Sequence, residues 1–282
     1  MESGEAEKRR VPATGLVVNT KFSPVSLILI PLLIYIIWVL DTFLLEGSAE
    51  VFSHYQPWAF ILYTIIANIL MGIIVPVVCL KPAFLSGAVN MFQIGFRTLR
   101  RTIIIVVCTA LSGYLVLIIF TPYDSQRMAL LGIIAFLLPL AVASVMICWT
   151  IIGTHLQAYV RNYGAFISII AGVLVTGLLF GLSFAAHSPP INQPQTLIFA
   201  TGAGIASALY FFAVRDVWAT TIFVTFALIV VLQGCIDQLY VEPISPATAF
   251  SAMLSVLALA GLQFYLSRRF ITIRIPAGYD KK

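Results

Sequence analysis

Residues 128–153 read MALLGIIAFLLPLAVASVMICWTIIG, a run without a single charged side chain. A helix that crosses a membrane needs roughly 20 consecutive, mostly apolar residues to span about 30 Å of hydrocarbon. Inside a bilayer the backbone polar groups must be paired within their own segment, so a run of this kind has to be helical. This stretch therefore predicts a transmembrane helix.

The composition of the whole chain extends this prediction. Hydrophobic residues make up 61% of the 282 residues and charged residues only 10%. A soluble domain usually carries about 25% charged residues, because its surface faces water. We therefore expect an integral membrane protein.

The same hydropathy criterion predicts eight spans in the chain. They are residues 24–45, 57–80, 102–121, 127–153, 164–186, 195–214, 218–240 and 247–266. The predicted fold is an all-α membrane protein, a bundle of about eight transmembrane helices over residues 23–267. The charged tail 1–22 is expected to be disordered, and residues 268–282 form a basic tail.

The positions of lysine and arginine predict the orientation. Of the 16 basic residues, all but Arg127 fall in tails and loops on one side of the eight spans. Basic residues collect on the cytoplasmic side of membrane proteins, so both termini are predicted to be cytoplasmic. The net charge of +5 is thus a sign of topology, and no nucleic-acid partner is expected.

Residues 81–101 are too polar for a span and are predicted to form an interfacial amphipathic helix. Its apolar positions recur at helical spacing: Phe84, Ala88, Phe92, Phe96 and Leu99. Three basic side chains are expected near anionic lipid headgroups, namely Arg97, Arg100 and Arg101. The alternative is an ordinary linker containing a few aromatic residues.

Ionisable residues inside a membrane usually mark function, and the predicted spans contain none between the two interfaces. Asp41 and Asp237 fall near the outer ends of their helices. A proton or sodium relay would need such groups, so an ion-coupled pump is disfavoured.

Three histidines, His54, His155 and His187, are weak candidates for a cofactor ligand; the alternative is an interfacial, water-facing histidine. The four cysteines form no CxxC pair, so no zinc site or disulfide framework is expected. No metal and no cofactor is predicted, while a bound lipid or pigment stays open.

Small residues predict close helix packing. They occur four apart, at Gly177 and Gly181 and at Ala200, Gly204 and Ala208. Polar residues within the spans, which include Tyr63, Thr64, Asn68 and Gln233, either hydrogen-bond a neighbouring helix or line a cavity.

The chain from Cys148 to Leu228 resembles the core of the CPBP family, the CAAX prenyl proteases and bacteriocin-processing enzymes. The similar sequence segments are CWTIIGTHLQ at residues 148–157, YGAFISII from residue 163, GLLFGLSF at 177–184 and DVWA at 216–219. The family pattern is Glu-Glu-x-x-x-Arg leading to Leu-Gln, then Phe-Gly-x-x-His, then His-x-x-x-Asn. The resemblance also implies an eight-span architecture.

The catalytic positions implied by the resemblance are replaced in this chain. In the order of the three motifs, they are occupied by Cys148, Trp149, Gly153, Phe184, Val224 and Leu228. Family members are thought to activate water with a glutamate and to stabilise the oxyanion with histidine and asparagine. The residues present here provide neither function, so the resemblance implies an inactivated protease fold.

Three functional hypotheses follow. The first is a non-catalytic accessory or scaffold subunit of a larger membrane complex, which would contact membrane lipids and other integral subunits. The second is a transporter or lipid-handling protein with a polar-lined cavity. The third, an enzyme using Cys148 as nucleophile, needs a nearby base, and His155 is about 10 Å away along a helix.

Overall fold

The computed structural model of the chain consists of helices, and no strand occurs among the residues it describes, which are 25–52, 54, 56–85, 89, 92–120, 127–233 and 245–270. Within these ranges, seven helices are long and apolar enough to cross a membrane, and a further apolar helix is shorter. The chain is therefore an all-α, multi-pass membrane protein. The predicted tail 1–22 and most of the tail 268–282 lie outside the described residues.

The helices agree in position with the eight predicted spans. Four of them are regular α-helices: α3 (Leu99–Phe120), α6 (Pro194–Val214), α7 (Val217–Leu232) and α8 (Pro246–Phe270). Three contain a π-helical stretch: α1 (Ser26–Thr42, then π-helical Phe43–Gly47), α2 (Pro57–Tyr63, π-helical Thr64–Ile74, then Val75–Leu85) and α4 (Arg127–Ser144, π-helical Val145–Gly153, then Thr154–Val160 and a 3₁₀ turn Arg161–Tyr163). Helix α5 (Ala165–Ser183) ends in a 3₁₀ turn, Phe184–Ala186. Two boundaries differ from the prediction by more than five residues. Helix α4 continues to Tyr163 instead of ending at Gly153, and α7 ends at Leu232, after which residues 234–244 lie outside the described ranges.

Local sequence accounts for several helix ends. Helices α2 and α6 begin with Pro57 and Pro194, and proline suits the first turn because its missing N–H would have no helical partner there. Helix α7 is capped by Asp216, whose Oδ1 accepts a hydrogen bond from the Ala219 backbone N–H at 3.0 Å. Such a cap satisfies one of the free N–H groups at the helix start.

Helix α4 lies at the centre of the bundle. Two thirds of the residues in its apolar 18-residue stretch are buried, against 17% of the residues in the corresponding stretch of α3. A helix that is apolar on all sides is suited to burial inside a protein, and residues 139–155 of α4 are all buried. Helix α3 instead exposes most of its surface, which is apolar.

The predicted interfacial helix over residues 81–101 is not one continuous helix. Residues 81–85 belong to α2, residues 92–95 form a turn, and α3 starts at Leu99; residues 86–88, 90 and 91 lie outside the described ranges. The turn bends towards the bundle because Gly95, with φ of +88°, packs against Val217 and accepts a hydrogen bond from its N–H at 2.9 Å. Ile94 and Phe96 are consequently buried, so the apolar side chains of this segment face protein as well as membrane.

Candidate functional site

The ends of α1 and α5 meet at a glycine. A Cβ atom on Gly47 would lie 2.2 Å from the carbonyl oxygen of Ala186, so only glycine allows this backbone contact. The residues that flank it, Glu46 and His187, are brought together across 141 positions of sequence. The close approach of two backbones thus creates a site that neither helix forms alone.

Glu46 is the centre of this site. Its side chain is fully buried, as is that of His187, and Oε2 of Glu46 lies 2.7 Å from Nδ1 of His187. Ser188 donates twice, from its hydroxyl to Oε1 at 2.5 Å and from its backbone N–H to Oε2 at 3.1 Å. A buried carboxylate is tolerated only when it is paired and hydrogen-bonded, and three donors meet that requirement here.

Aromatic rings surround the imidazole of His187. Phe52 stacks on it with 5.4 Å between ring centroids and 14° between planes. Phe184 lies at 5.6 Å and Tyr63 meets the imidazole edge-on at 6.5 Å. These rings exclude solvent, which strengthens the electrostatic interactions between the groups inside.

Several buried polar atoms near Glu46 have no protein partner. The hydroxyl of Tyr63 faces Glu46, Thr42 and Asn68, but no hydrogen bond of acceptable geometry joins it to any of them. The unpartnered atoms in this part of the bundle are the hydroxyls of Thr42 and Tyr63, both amide atoms of Asn68 and Nε2 of His187. We call the set Thr42, Glu46, Tyr63, Asn68, His187 and Ser188 the Glu46 cluster. The hydroxyl of Thr64, the next residue of α2, is also buried without a protein partner.

Two π-helical stretches contribute to the Glu46 cluster. Glu46 lies in Phe43–Gly47 and Asn68 in Thr64–Ile74. π-Helical turns are rare and occur frequently at functional sites. A buried polar group left without any partner costs about 1–3 kcal/mol, so these groups favour a hydrogen-bonding partner that the protein's own side chains do not provide.

The hydrogen bonds limit the chemistry of the Glu46 cluster. With the carboxylate ionised, Nδ1–H of His187 is the donor to Glu46, since a carboxylate only accepts. Glu46 is occupied by three donors and orients the imidazole, which leaves Nε2 free. The Ser188 hydroxyl donates to Glu46 and not to His187, so the cluster lacks a histidine-activated serine nucleophile. It offers hydrogen-bonding groups to a polar guest.

Burial rules out one of the two alternatives for two of the histidines. His187 is buried and bound to Glu46 and therefore does not face water, and Glu46 is an ionisable group buried inside the bundle. His155 is also buried, and its Nδ1 lies 2.8 Å from the carbonyl oxygen of Ile151. His54 is exposed and pairs with Glu50 at 3.1 Å. Each of the three histidines therefore has its own protein partner.

The positions implied by the family resemblance lie in the core. Trp149 packs on Phe180 at 5.2 Å, Phe180 on Phe184 at 5.3 Å, and Phe184 on His187 at 5.6 Å. All six replaced positions are buried, namely Cys148, Trp149, Gly153, Phe184, Val224 and Leu228. A row of aromatic side chains thus connects two of these positions, Trp149 and Phe184, with His187 of the Glu46 cluster.

The small residues of α5 and α6 lie where these helices approach each other. A Cβ on Gly177 would lie 2.8 Å from the backbone nitrogen of Ile205, and one on Gly181 would lie 2.8 Å from Cα of Thr201. A Cβ on Gly204 would lie 2.8 Å from the carbonyl oxygen of Gly177, and Ala200 and Ala208 are fully buried. The backbones are in contact, as the four-residue spacing predicts.

A second polar region lies at the end of the bundle that carries the arginines. Nε of Arg97 donates to the carbonyl oxygen of Arg215 at 2.8 Å, and Arg215 donates to the side chain of Gln157 at 2.6 Å. Burial and the nearby Arg97 charge lower the pKa of Arg215 to about 10. Burial and the Arg101 charge also lower the pKa of Arg97, which the buried Asp216 carboxylate partly offsets. The positive charges of Arg97, Arg101 and Arg215 therefore lie close enough to repel one another, and the Asp216 carboxylate offsets part of this repulsion at Arg97.

Among the described residues, no three His, Cys, Asp or Glu side chains come together as a metal site would require. Asp237 and Cys235, the last of the four cysteines, lie outside those ranges.

Comparison of the chain with protein-family models, with curated proteins and with solved structures finds no match. Its function must therefore be inferred from the geometry of its own side chains.

Proposed function

We propose that this is a membrane-embedded transporter or lipid-handling protein that receives a small polar group in the Glu46 cluster. The observation that carries the proposal is the set of buried polar atoms without a protein partner, above all Nε2 of His187, the Tyr63 hydroxyl and the Asn68 amide. Buried polar groups in native proteins are almost always hydrogen-bonded. A guest with both donors and acceptors, such as a hydroxyl or amide group, would satisfy them.

The charge of the Glu46 cluster restricts the kind of polar group that it can bind. Glu46 accepts hydrogen bonds from His187 and Ser188, and no arginine or lysine occurs among the described residues that contact it. An anionic guest would meet the Glu46 carboxylate at low dielectric without a lysine or arginine charge beside it, which is strongly unfavourable. A neutral or cationic polar group is therefore favoured.

The experiment compares two asparagine variants. We expect Asn68→Leu to abolish retention of the guest, whereas Asn162→Leu, at an exposed position of the Arg161–Tyr163 turn, keeps it. Each protein is extracted with its native lipids into nanodiscs, and the bound small molecules are identified by mass spectrometry. The mass distinguishes a soluble compound from a lipid headgroup. An identical set of bound molecules in the wild type and both variants would refute the proposal.

Asn68→Leu should still fold, which keeps this test informative. Because Asn68 only faces the Tyr63 hydroxyl and makes no side-chain hydrogen bond of acceptable geometry, the substitution removes little internal hydrogen bonding and relieves a desolvation cost. Monodisperse elution and a cooperative unfolding transition would verify that the loss of a guest reflects the site.

A second candidate function is that of a non-catalytic accessory or scaffold subunit on a CPBP-like inactivated fold. The observation that favours it is the packing of Trp149 and Phe184 on Phe180, which fills with aromatic rings the place where the resembled family carries catalytic groups. Gentle extraction, a native gel and mass spectrometry test this candidate. A stoichiometric co-migrating membrane protein would support it, and a monomer at every detergent concentration would count against it.

We also propose that both termini are cytoplasmic. The distribution of lysine and arginine supports this orientation, and the described Arg97, Arg100, Arg101 and Arg215 all lie at helix ends on one side of the bundle. A reporter fused to either terminus that becomes active only in the cytoplasm would test the orientation.

A further inference from the structure

A groove of about 410 Å³ opens on the membrane-facing side of the bundle. Helix α3 contributes one wall, which includes Cys108 and Ser112, and α7 contributes the other, which includes Phe223 and Val230. Tyr210 of α6 also lines it, stacked on Phe223 at 4.6 Å and in contact with the Thr109 hydroxyl. Apart from these hydroxyl groups the lining is almost entirely apolar, and its volume is in the range of ligand sites.

The groove has the length of one membrane leaflet. Its α3 wall runs from Ile104 to Leu117, which at 1.5 Å rise per residue is about 20 Å. Half of a hydrocarbon core of about 30 Å is about 15 Å. A single acyl chain that entered from the arginine-bearing end would therefore reach the middle of the membrane along this groove.

Arg101 lies at the arginine-bearing end of the groove. With 3.6 residues per turn, Arg101, Ile105, Cys108 and Ser112 recur on one face of α3, the face that lines the groove. Arg101 is exposed and lies one turn before the first groove residues. Arg100, the preceding residue, points about 100° away. Arg97 is close enough for the two positive charges to repel each other.

Among the described residues, none of these guanidinium groups has a carboxylate within ion-pair distance. Asp216 is the acid near them, and its carboxylate is held by Thr102 and by the backbone of Ala219. Positive charge at the headgroup level beside an apolar channel is the arrangement that binds anionic lipids between transmembrane helices.

We propose that this groove binds one anionic phospholipid, with an acyl chain along α3 and α7 and the headgroup phosphate at Arg101 and Arg97. A helix of another protein is a poorer fit. Close packing of a foreign helix needs small residues at the surface, but the place beside Gly113 is already filled by the Phe226 ring, 2.3 Å from where a Cβ would stand. This inference does not depend on the Glu46 cluster.

The test uses phosphatidylglycerol and phosphatidylcholine as probes. The full-length protein is purified in mild detergent, titrated with each lipid, and the lipid retained is counted by native mass spectrometry. We expect preferential retention of phosphatidylglycerol. Arg101→Gln should weaken it on the order of fivefold, the effect of one basic residue near the membrane surface, whereas Arg100→Gln should leave retention unchanged.

A second pair of variants tests the groove itself. Cys108→Phe fills the channel and should abolish retention of phosphatidylglycerol, whereas Ile103→Phe, on the opposite exposed face of α3, should not. Equal retention of the two lipids by the wild type, equal losses in both arginine variants, or full retention in Cys108→Phe would each overturn the proposal. It would also be overturned if Cys108→Phe removed a co-purifying protein and left lipid retention unchanged.

Discussion

Nδ1 of His187 lies 2.7 Å from Oε2 of Glu46, and neither side chain is exposed. A second histidine–glutamate pair, His54 and Glu50, lies at 3.1 Å but in solvent. The two pairs have the same chemistry and differ in burial, which decides how much each contributes to the protein. In the buried pair a charge left alone has no water to solvate it.

This contrast predicts the effect of removing each carboxylate. We expect Glu46→Gln to lower the free energy of unfolding by about 3–5 kcal/mol, because breaking a buried pair leaves unsatisfied groups inside the bundle. Glu50→Gln should have no measurable effect, since exposed pairs contribute little. Thermal unfolding of both variants in the same detergent provides the measurement. Equal unfolding temperatures for the two variants would contradict the assignment of Glu46 as a buried, essential partner.

Removal of the hydroxyl group is expected to have different effects on the free energy of unfolding at two buried tyrosines. Tyr35 donates to the carbonyl oxygen of Leu179 at 2.7 Å, so Tyr35→Phe should destabilise the protein by about 1 kcal/mol. The Tyr63 hydroxyl has no protein partner, so in the guest-free protein Tyr63→Phe should leave the free energy of unfolding unchanged or raise it. The same unfolding assay compares them. A loss of stability in Tyr63→Phe as large as in Tyr35→Phe would show that Tyr63 is hydrogen-bonded within the fold.

Substitution by alanine is expected to have different effects on the free energy of unfolding at two glycines of α6. A Cβ on Gly204 would lie 2.8 Å from the carbonyl oxygen of Gly177, whereas a Cβ on Gly202 meets nothing within 4 Å. Gly204→Ala should therefore destabilise the α5–α6 contact by about 1–3 kcal/mol through overpacking. Gly202→Ala should be neutral or slightly stabilising, since alanine favours helices over glycine. Unfolding temperatures decide the question, and a neutral Gly204→Ala would disprove the close contact.

The spans could be predicted from sequence because hydropathy is a local property. The apolar run from Met128 to Gly153 is long enough by itself to require a transmembrane helix, and proline at positions 57 and 194 marks helix starts to within a residue. The contact between α5 and α6 was also predictable, since spacing of small residues by four needs no knowledge of the partner helix.

The Glu46 cluster could not be predicted, because it depends on a contact over 141 positions. By hydropathy, Glu46 and His187 fall just outside the first and fifth spans, where water is the expected neighbour. The contact of Gly47 with Ala186 is what buries them. One signal was present: Glu46 directly follows an apolar run and precedes glycine in a chain with few acidic residues. The prediction of a single interfacial helix over residues 81–101 is wrong for a related reason. Gly95 accepts a hydrogen bond from Val217, which is distant in the sequence.

The cysteines give a final prediction, which tests the nucleophile hypothesis. Cys148 is fully buried within α4, and Nδ1 of His155 is in hydrogen-bonding contact with the Ile151 carbonyl oxygen, so no base is directed at the thiol. Cys108 is exposed in the groove of α3. In single-cysteine variants, a membrane-permeant maleimide should therefore label Cys108 and leave Cys148 unmodified until the protein is unfolded. Rapid labelling of Cys148 in the folded protein would instead indicate an accessible thiol beside Trp149 and would revive the enzyme hypothesis. Because reactivity requires the thiolate, the dependence of that labelling on pH would then show whether a base assists it.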